Sequence, residues 1–113
     1  MPAYNRIDRI SEEVKRELSM IIRELQDPRL GKAVVSVVNV NVTKDLKFAK
    51  AFISVLGAED VQKGAMDALK SAAGFIRKEV GRRINLRNTP EFTFVLDNSI
   101  EYGAHINEVL KNL

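Results

Sequence analysis

Hydrophobic residues recur at helical spacing through the first quarter of the chain. The helix predicted over residues 6–25 would carry one apolar face, formed by Ile7, Ile10, Val14, Leu18, Ile21 and Leu25. Asn5 is suited to cap its start. Asp27-Pro28 would end it, because a residue that precedes proline avoids the helical region of φ/ψ space. A turn at Gly31 is predicted to follow.

Two segments of alternating polarity come next. In residues 34–43, the alternating apolar positions are Val38, Val40 and Val42. In residues 48–56, one row consists of Ala49, Ala51, Ile53 and Val55, and the opposite row of Phe48, Lys50, Phe52 and Ser54. A period of two residues on both sides of a short polar connection predicts an antiparallel hairpin.

Helical periodicity then returns in two parts. Gly57 marks the exit from the hairpin, and the acids Glu59 and Asp60 favour a helix start. The first apolar stripe consists of Val61, Ala65, Ala68, Leu69 and Ala72, and the second of Ile76, Val80 and Ile84. Between the stripes lies Ala72-Ala73-Gly74, and glycine is better suited to a bend than to an uninterrupted helix. We therefore predict a helix, a kink at residues 72–74, and a second helix.

The last part of the chain predicts one strand and one helix. Thr89-Pro90 would break the structure before a strand over residues 92–96. Asn98 and Glu101 resemble a capping box before a final stripe formed by Tyr102, Ile106, Val109, Leu110 and Leu113. The predicted fold is α+β, in the order α-β-β-α-kink-α-β with a C-terminal helix. We expect one domain over residues 1–113.

Composition restricts the classes of protein that the chain can belong to. Its 113 residues are 45% hydrophobic and 29% charged, the balance of an ordinary globular domain. The absence of cysteine excludes disulfides, thiolate metal sites and cysteine nucleophiles. No 18-residue apolar run predicts a membrane span, and the N-terminus lacks the apolar core of a signal peptide. We predict a cytoplasmic protein that needs no membrane.

Charge is distributed unevenly around a net value of +3. Residues 75–90 have a net charge of +4, residues 33–58 of +2, and residues 91–113 of −3. A basic side attracts polyanions such as nucleic acids, although a solvated helix face with incidental charge explains the pattern equally well. The candidate cations are Arg77, Lys78, Arg82, Arg83 and Arg87, together with Lys44, Lys47 and Lys50.

Little in the sequence points to catalysis. The single histidine, His105, borders the last apolar stripe and is better explained as a surface or packing residue. Glu91 and Asp97 flank a short strand and are better explained as a strand-end acid and a turn residue. No phosphate-binding loop, dinucleotide fingerprint or zinc-ligand spacing is present. We predict a protein that is not an enzyme and has no cofactor or metal.

The kink carries the most informative group of residues. Lys78 and Arg82 are four residues apart and share a helix face, with Phe75 near that face. Cations can contact phosphates and an aromatic ring can stack on a base. The alternative for Phe75, which we favour, is burial in the core beneath the kink. Gly74 has two roles open to it, contact with an RNA backbone or formation of the bend, and its Ala neighbours favour the bend.

The predicted order of elements matches a KH domain of the bacterial type (type II). KH domains hold RNA backbone with a GXXG loop between two helices. Ala72, Ala73 and Gly74 occupy that place with one glycine, so close approach of phosphate is only partly permitted. This difference argues against a general clamp for single strands.

Four stretches resemble the bacterial ribosome-binding factor A family along nearly the whole chain. They are residues 6–30, ending in LQDPRL; residues 43–55; residues 69–77, which read LKSAAGFIR; and residues 90–103, which read PEFTFVLDNSIEYG. The last two are the most specific, and the Ala-x-Gly kink is itself a feature of the family. Phe92 departs from the more usual leucine, and Asn85 from a frequent basic residue.

The resemblance implies a ribosome assembly factor without catalytic activity. It implies binding to the 30S subunit and its 16S rRNA near the neck and decoding region, and help with late maturation, including the 5′ end of the rRNA. It also implies importance in the cold, and release before translation with help from an assembly GTPase. Two alternatives stay open: a general KH-like binder of single-stranded RNA, and a small α+β protein-interaction module. We expect a monomer.

Overall fold

The computed structural model describes residues 5–98. Within that range the elements are α1 (Arg6–Glu24), α2 (Pro28–Gly31), β1 (Val34–Val42), β2 (Phe48–Leu56), α3 (Glu59–Ser71), α4 (Ala73–Arg83) and β3 (Glu91–Leu96). The mixed α+β class and the predicted order of long elements are confirmed. The predicted C-terminal helix, with Glu101 of the proposed capping box, lies outside the described residues. None of the described helices is long and apolar enough to cross a membrane.

Helix α1 forms as its sequence pattern predicts. The Asn5 side chain accepts a hydrogen bond from the Asp8 backbone N–H at 2.8 Å, which caps the first turn. The buried face consists of Ile10, Val14, Leu18, Ile21 and Ile22. The helix ends at Glu24, one residue before the predicted end, because Leu25 is already extended.

A short helix, α2, leads into the turn predicted at Gly31. Asp27 caps α2 by accepting a hydrogen bond from the Arg29 backbone N–H at 2.9 Å, and Pro28 takes the first helical position, where its missing N–H costs nothing. Arg29 also pairs with Asp27 at 2.8 Å, and this hydrogen bond lowers the pKa of the Asp27 carboxyl. The Ala33 backbone N–H donates to the Leu30 oxygen at 3.2 Å, which closes the predicted turn around Gly31. The short helix itself was not predicted, because a four-residue helix has no apolar period to reveal it.

The three strands form one mixed sheet in the order β1-β2-β3. Strands β1 and β2 are antiparallel, which confirms the predicted hairpin, with an irregularity between Val37 and Asn39. Strand β3 runs parallel to β2, with Phe92 opposite Ala49 and Phe94 opposite Ala51. Helix α1 packs on β1, and α3 and α4 pack on the other two strands. Of the two rows predicted for β2, the one formed by Ala49, Ala51, Ile53 and Val55 is buried.

Helices α3 and α4 meet at a break, as predicted, but Gly74 does not form it. Ala72 leaves the helical conformation, with φ −89° and ψ 2°, and links the two helices. Gly74 lies in the first turn of α4, and Gly57 is the described glycine with positive φ, at 147°. The bend therefore belongs to Ala72, and the prediction that Gly74 creates it is wrong.

Candidate nucleic-acid interface

Phe75 is on the surface of α4, with 53% of its area exposed. Its neighbour Ile76 is fully buried, and Val80 one turn later is buried as well. Ile76 and Val80 lie four residues apart on α4 and face the core. Phe75 lies on the exposed side of the helix and points away from the core. The sequence favoured Phe75 as a core residue, and that interpretation is wrong. An exposed aromatic ring therefore lies directly after the kink.

Three exposed cations follow Phe75 along α4, namely Arg77, Lys78 and Arg82. Lys78 makes no ion pair with any described residue. Arg82 donates a hydrogen bond from Nη2 to Glu79 Oε2 at 2.8 Å. Phe75, Lys78 and Arg82 together are called the kink surface below. Arg77 lies beside it, and its Nε donates to the backbone oxygen of Thr89 at 3.3 Å.

Arg83 has different surroundings from the other cations of α4. Its side chain is 20% exposed and contacts three carboxylates: Nη2 lies 2.6 Å from Glu24, Nε 3.3 Å from Glu79, and Nη1 3.9 Å from Glu17. The hydrogen bond to Glu24 raises the pKa of Arg83. Hydrogen bonds from Arg82 and, to a lesser extent, Arg83 lower the pKa of Glu79. Arg83 thus joins α4 to α1, which the sequence could not reveal because Glu24 is 59 residues away.

The structure gathers three of the other predicted cations around one groove of about 350 Å³. This basic groove is lined by Arg6, Ile7, Ile10, Lys44, Asp45, Leu46, Lys47, Arg87 and Asn88. Its cations come from the start of α1, the β1–β2 loop and the loop between α4 and β3. Arg6 was not predicted as a site residue, because a lone arginine at a helix start gives no local indication of neighbours that are distant along the chain.

Hydrogen bonds fix the conformation of the β1–β2 loop. Asp45 Oδ1 accepts from Thr43 Oγ1 at 2.7 Å and from the Lys47 backbone N–H at 3.0 Å, and these bonds, with Thr43 contributing most, lower the pKa of the carboxyl. Leu46 adopts a left-handed backbone with φ 62° and is 5% exposed. Lys44 and Lys47 therefore project from a rigid support.

The remaining predicted site residues lie apart from the basic groove. Lys50 is exposed on the outer row of β2, where its register partners are Asn41 and Thr93. Gly74 is exposed, and a Cβ added there would meet no atom within 4 Å. Ala72 and Ala73 are half-buried beside it. The predicted cations thus divide between the basic groove and the kink surface, which are lined by different residues.

Comparison with known proteins identifies the family of this chain. The sequence model described as ribosome-binding factor A matches residues 6–110. The ribosome-binding factor A of Acetivibrio thermocellus is 58% identical over 106 residues, which cover 93% of this chain and 85% of the relative.

Solved structures of similar proteins have the same fold. The crystal structure of ribosome-binding factor A from Thermus thermophilus matches with a TM-score of 0.72 at 26% identity, covering 81% of this chain and 97% of the other. A homology model of the T. thermophilus protein, fitted into the cryo-EM map of its complex with the 30S subunit, matches with a TM-score of 0.65 at 26% identity. That match covers 78% of this chain and 91% of the other.

Proposed function

Because this chain belongs to the ribosome-binding factor A family, we propose that it binds the small (30S) ribosomal subunit through its 16S rRNA. The observation that carries the proposal is the kink surface, where exposed Phe75 adjoins the exposed cations Lys78 and Arg82. A ring offers a stacking surface and cations offer phosphate contacts. The similar T. thermophilus protein fitted into a 30S complex supports the same partner.

The detailed role proposed is that of an assembly factor. The chain would assist late maturation of the subunit, including processing of the 5′ end of the rRNA, and matter most in the cold. It would act in the cytoplasm as a monomer and would catalyse no reaction. An assembly GTPase would help to release it from the subunit. Membership of the family supports these proposals.

We also propose that the fold is KH-like, with Ala72-Ala73-Gly74 in place of GXXG. The order of the elements and the break between α3 and α4 support this assignment. General binding of single-stranded RNA is the second candidate function. The open space around Gly74 favours it, because phosphate can approach an uncovered backbone there.

Co-sedimentation with purified 30S and 50S subunits tests the proposal. The wild-type chain should pellet with 30S subunits and not with 50S subunits. Equal binding to both subunits and to isolated oligonucleotides would favour the general binder. No RNA affinity at physiological salt would leave a protein-interaction module.

The contribution of the kink surface and of the adjoining Arg77 can be measured from the salt dependence of 30S binding. Replacing Arg77, Lys78 and Arg82 by alanine should lower the slope of log affinity against log salt by about 0.7–0.9 for each phosphate that is no longer neutralised. Arg83 is kept, because its replacement would break the ion pairs to α1. The charge-matched control replaces Lys15, Arg16 and Arg23 on α1. An unchanged slope in the kink variant would place the RNA surface elsewhere.

A further inference from the structure

The basic groove is built from three segments that are distant in sequence and fixed to one another. The Asn88 side chain donates to the backbone oxygen of Asp45 at 3.4 Å, and the Glu91 backbone N–H donates to the Lys47 oxygen at 2.8 Å. These bonds join the β1–β2 loop to the segment that enters β3. Ile7 and Ile10 of α1 complete the apolar side of the groove. The Val42 backbone N–H donates to Ser11 Oγ of α1 at 3.3 Å, so that α1 is joined to the end of β1. The shape of the groove is therefore preformed.

Leu46 lies in the wall of this groove and has an unfavourable backbone conformation. Leucine rarely adopts positive φ, which glycine or asparagine would adopt more readily. Its side chain is nevertheless buried, and it lines the groove together with Ile7 and Ile10. Backbone strain of this kind tends to lie at functional sites.

The charges of the groove favour an anion. Arg6, Lys44, Lys47 and Arg87 are exposed, and none of them forms an ion pair within residues 5–98. The opposing carboxylate, Asp45, accepts hydrogen bonds within its own loop. Four exposed cations around an apolar surface can bind a ligand that is anionic at one end and apolar at the other.

We propose that the basic groove holds one unpaired nucleotide of RNA, a role that rests on the proposed function. Its volume of about 350 Å³ is at the lower end of the range for ligand pockets, about 300–1,000 Å³, which suits one nucleotide and not a longer segment. The base packs between aliphatic side chains, as bases extruded from a stack do in other proteins. The exposed cations of the groove bind the phosphate.

This site is distinct from the kink surface, because no residue of α3 or α4 lines the groove. RNA that occupied both would be held at two separate points of the molecule. The kink surface would bind through exposed stacking and phosphate contacts. The basic groove would select an unpaired position, since a base inside a duplex cannot enter it.

Nuclear magnetic resonance of the full chain tests the ligand chemistry. Titration with adenosine or uridine 5′-monophosphate should shift the methyl resonances of Ile7, Ile10 and Leu46 together with the Lys47 amide. Inorganic phosphate at equal ionic strength should leave those methyl resonances in place. If phosphate and mononucleotides produce the same shifts, the groove is only an electrostatic patch and the proposal fails.

Three ligands compared at the same resonances distinguish a nucleotide within RNA from a free nucleotide. An unpaired RNA oligonucleotide should bind more tightly than the mononucleotide, and a blunt duplex of equal length should not perturb the methyl groups. If the mononucleotide binds as tightly as the oligonucleotide, the ligand is a free nucleotide and the RNA assignment is wrong.

Binding to 30S subunits provides an independent test with variants. Arg87→Ala, at an exposed residue assigned to the phosphate, should weaken binding and lower the slope of log affinity against log salt by about 0.7, the value for one single-strand phosphate contact. Ile7→Ser, which changes the surface assigned to the base, should weaken binding by about fivefold or more, the lower bound for removing one base interaction, and its unfolding curve shows whether it stays folded. Lys63→Ala, exposed on α3, is the control. If the wild-type chain does not bind 30S subunits, the proposed function is wrong. If the wild-type chain binds and the groove variants bind as tightly as it does, only this inference is wrong.

Discussion

Two glycines of α4 differ in what surrounds them. A Cβ at Gly74 would meet no atom within 4 Å, whereas a Cβ at Gly81 would lie 2.7 Å from Thr89 Oγ1. Gly81 therefore permits close approach of α4 to the segment before β3. Gly74 carries only the conformational cost of a glycine in a helix.

Alanine at these two positions should have opposite effects on stability. Gly74→Ala should raise the free energy of unfolding by about 0.5–1 kcal/mol, and Gly81→Ala should lower it by about 1 kcal/mol or more through overpacking. Chemical denaturation measures both. We also expect Gly74→Ala to weaken 30S binding, since its Cβ would lie where an RNA backbone could approach. Unchanged binding would remove Gly74 from the interface.

Phe75 can be tested against a matched aromatic residue. Phe75→Ala should weaken 30S binding by about 1–3 kcal/mol, the contribution of one stacked base. Its stability should change by about 0.5 kcal/mol or less, as for most surface substitutions. Phe48, 54% exposed on the sheet against 53% for Phe75, is the control. Equal losses of affinity in both alanine variants would show that the effect is not specific to the kink surface.

At the scale of elements, α1 and α4 are joined by charged side chains as well as by apolar packing. Arg83 reaches Glu24 and Glu17 of α1 while it also contacts Glu79 one turn earlier in its own helix. Arg82 binds the same Glu79 oxygen. Arg83→Ala would leave three carboxylates without this partner, and we expect a lower melting temperature with little direct effect on RNA binding.

The shared carboxylate predicts how stability depends on pH. The pKa of Glu79 is lower in the folded chain than in the unfolded chain, so its contribution is present above the unfolded value of about 4.3 and is lost as the pH falls through the folded value. Arg83 stays protonated throughout. The difference in unfolding free energy between wild type and Glu79→Gln should therefore be constant near neutral pH and shrink in acid. A difference that grows in acid would contradict this assignment.

The long elements could be predicted from the sequence because their patterns are local. The apolar period of α1, the alternation of β2 and the break near residue 72 are each visible within a few turns or a strand. Phe75, Arg83 and Arg6 could not be placed in this way. The exposure of Phe75 depends on the residue at which α4 begins, and the contacts of Arg83 and Arg6 depend on neighbours from distant segments. Local spacing specifies neither.

At the scale of the whole molecule, the cations are divided between two surfaces with different supports. Lys78 and Arg82 project from a helix, whereas Lys44, Lys47 and Arg87 project from loops that hydrogen bonds hold in place. A polyanion that spans both surfaces must fit their relative position. Charge alone attracts RNA of any sequence, so the fixed geometry is what can favour a folded ribosomal particle.

The chain should be a monomer that does not depend on metal. The sequence has no cysteine and one histidine, and it lacks a heptad pattern for a coiled-coil partner. Sedimentation velocity should give one species independent of concentration, and a chelator should leave the melting curve in place. A fall of several degrees in the melting midpoint on chelation would show that the fold depends on metal. A mass that rises with concentration would show that the chain is not a monomer.

The parallel pairing of β2 with β3 has a consequence for how the chain folds. The β1–β2 hairpin closes over a short loop, but Phe92 joins Ala49 only after both intervening helices have been traversed. Closing so long a segment costs more entropy than closing a hairpin, and non-local pairing slows folding. Docking of β3 is thus expected to be the late step. A nascent chain released before residue 91 would expose the outer edge of β2, a ready template for pairing with another strand.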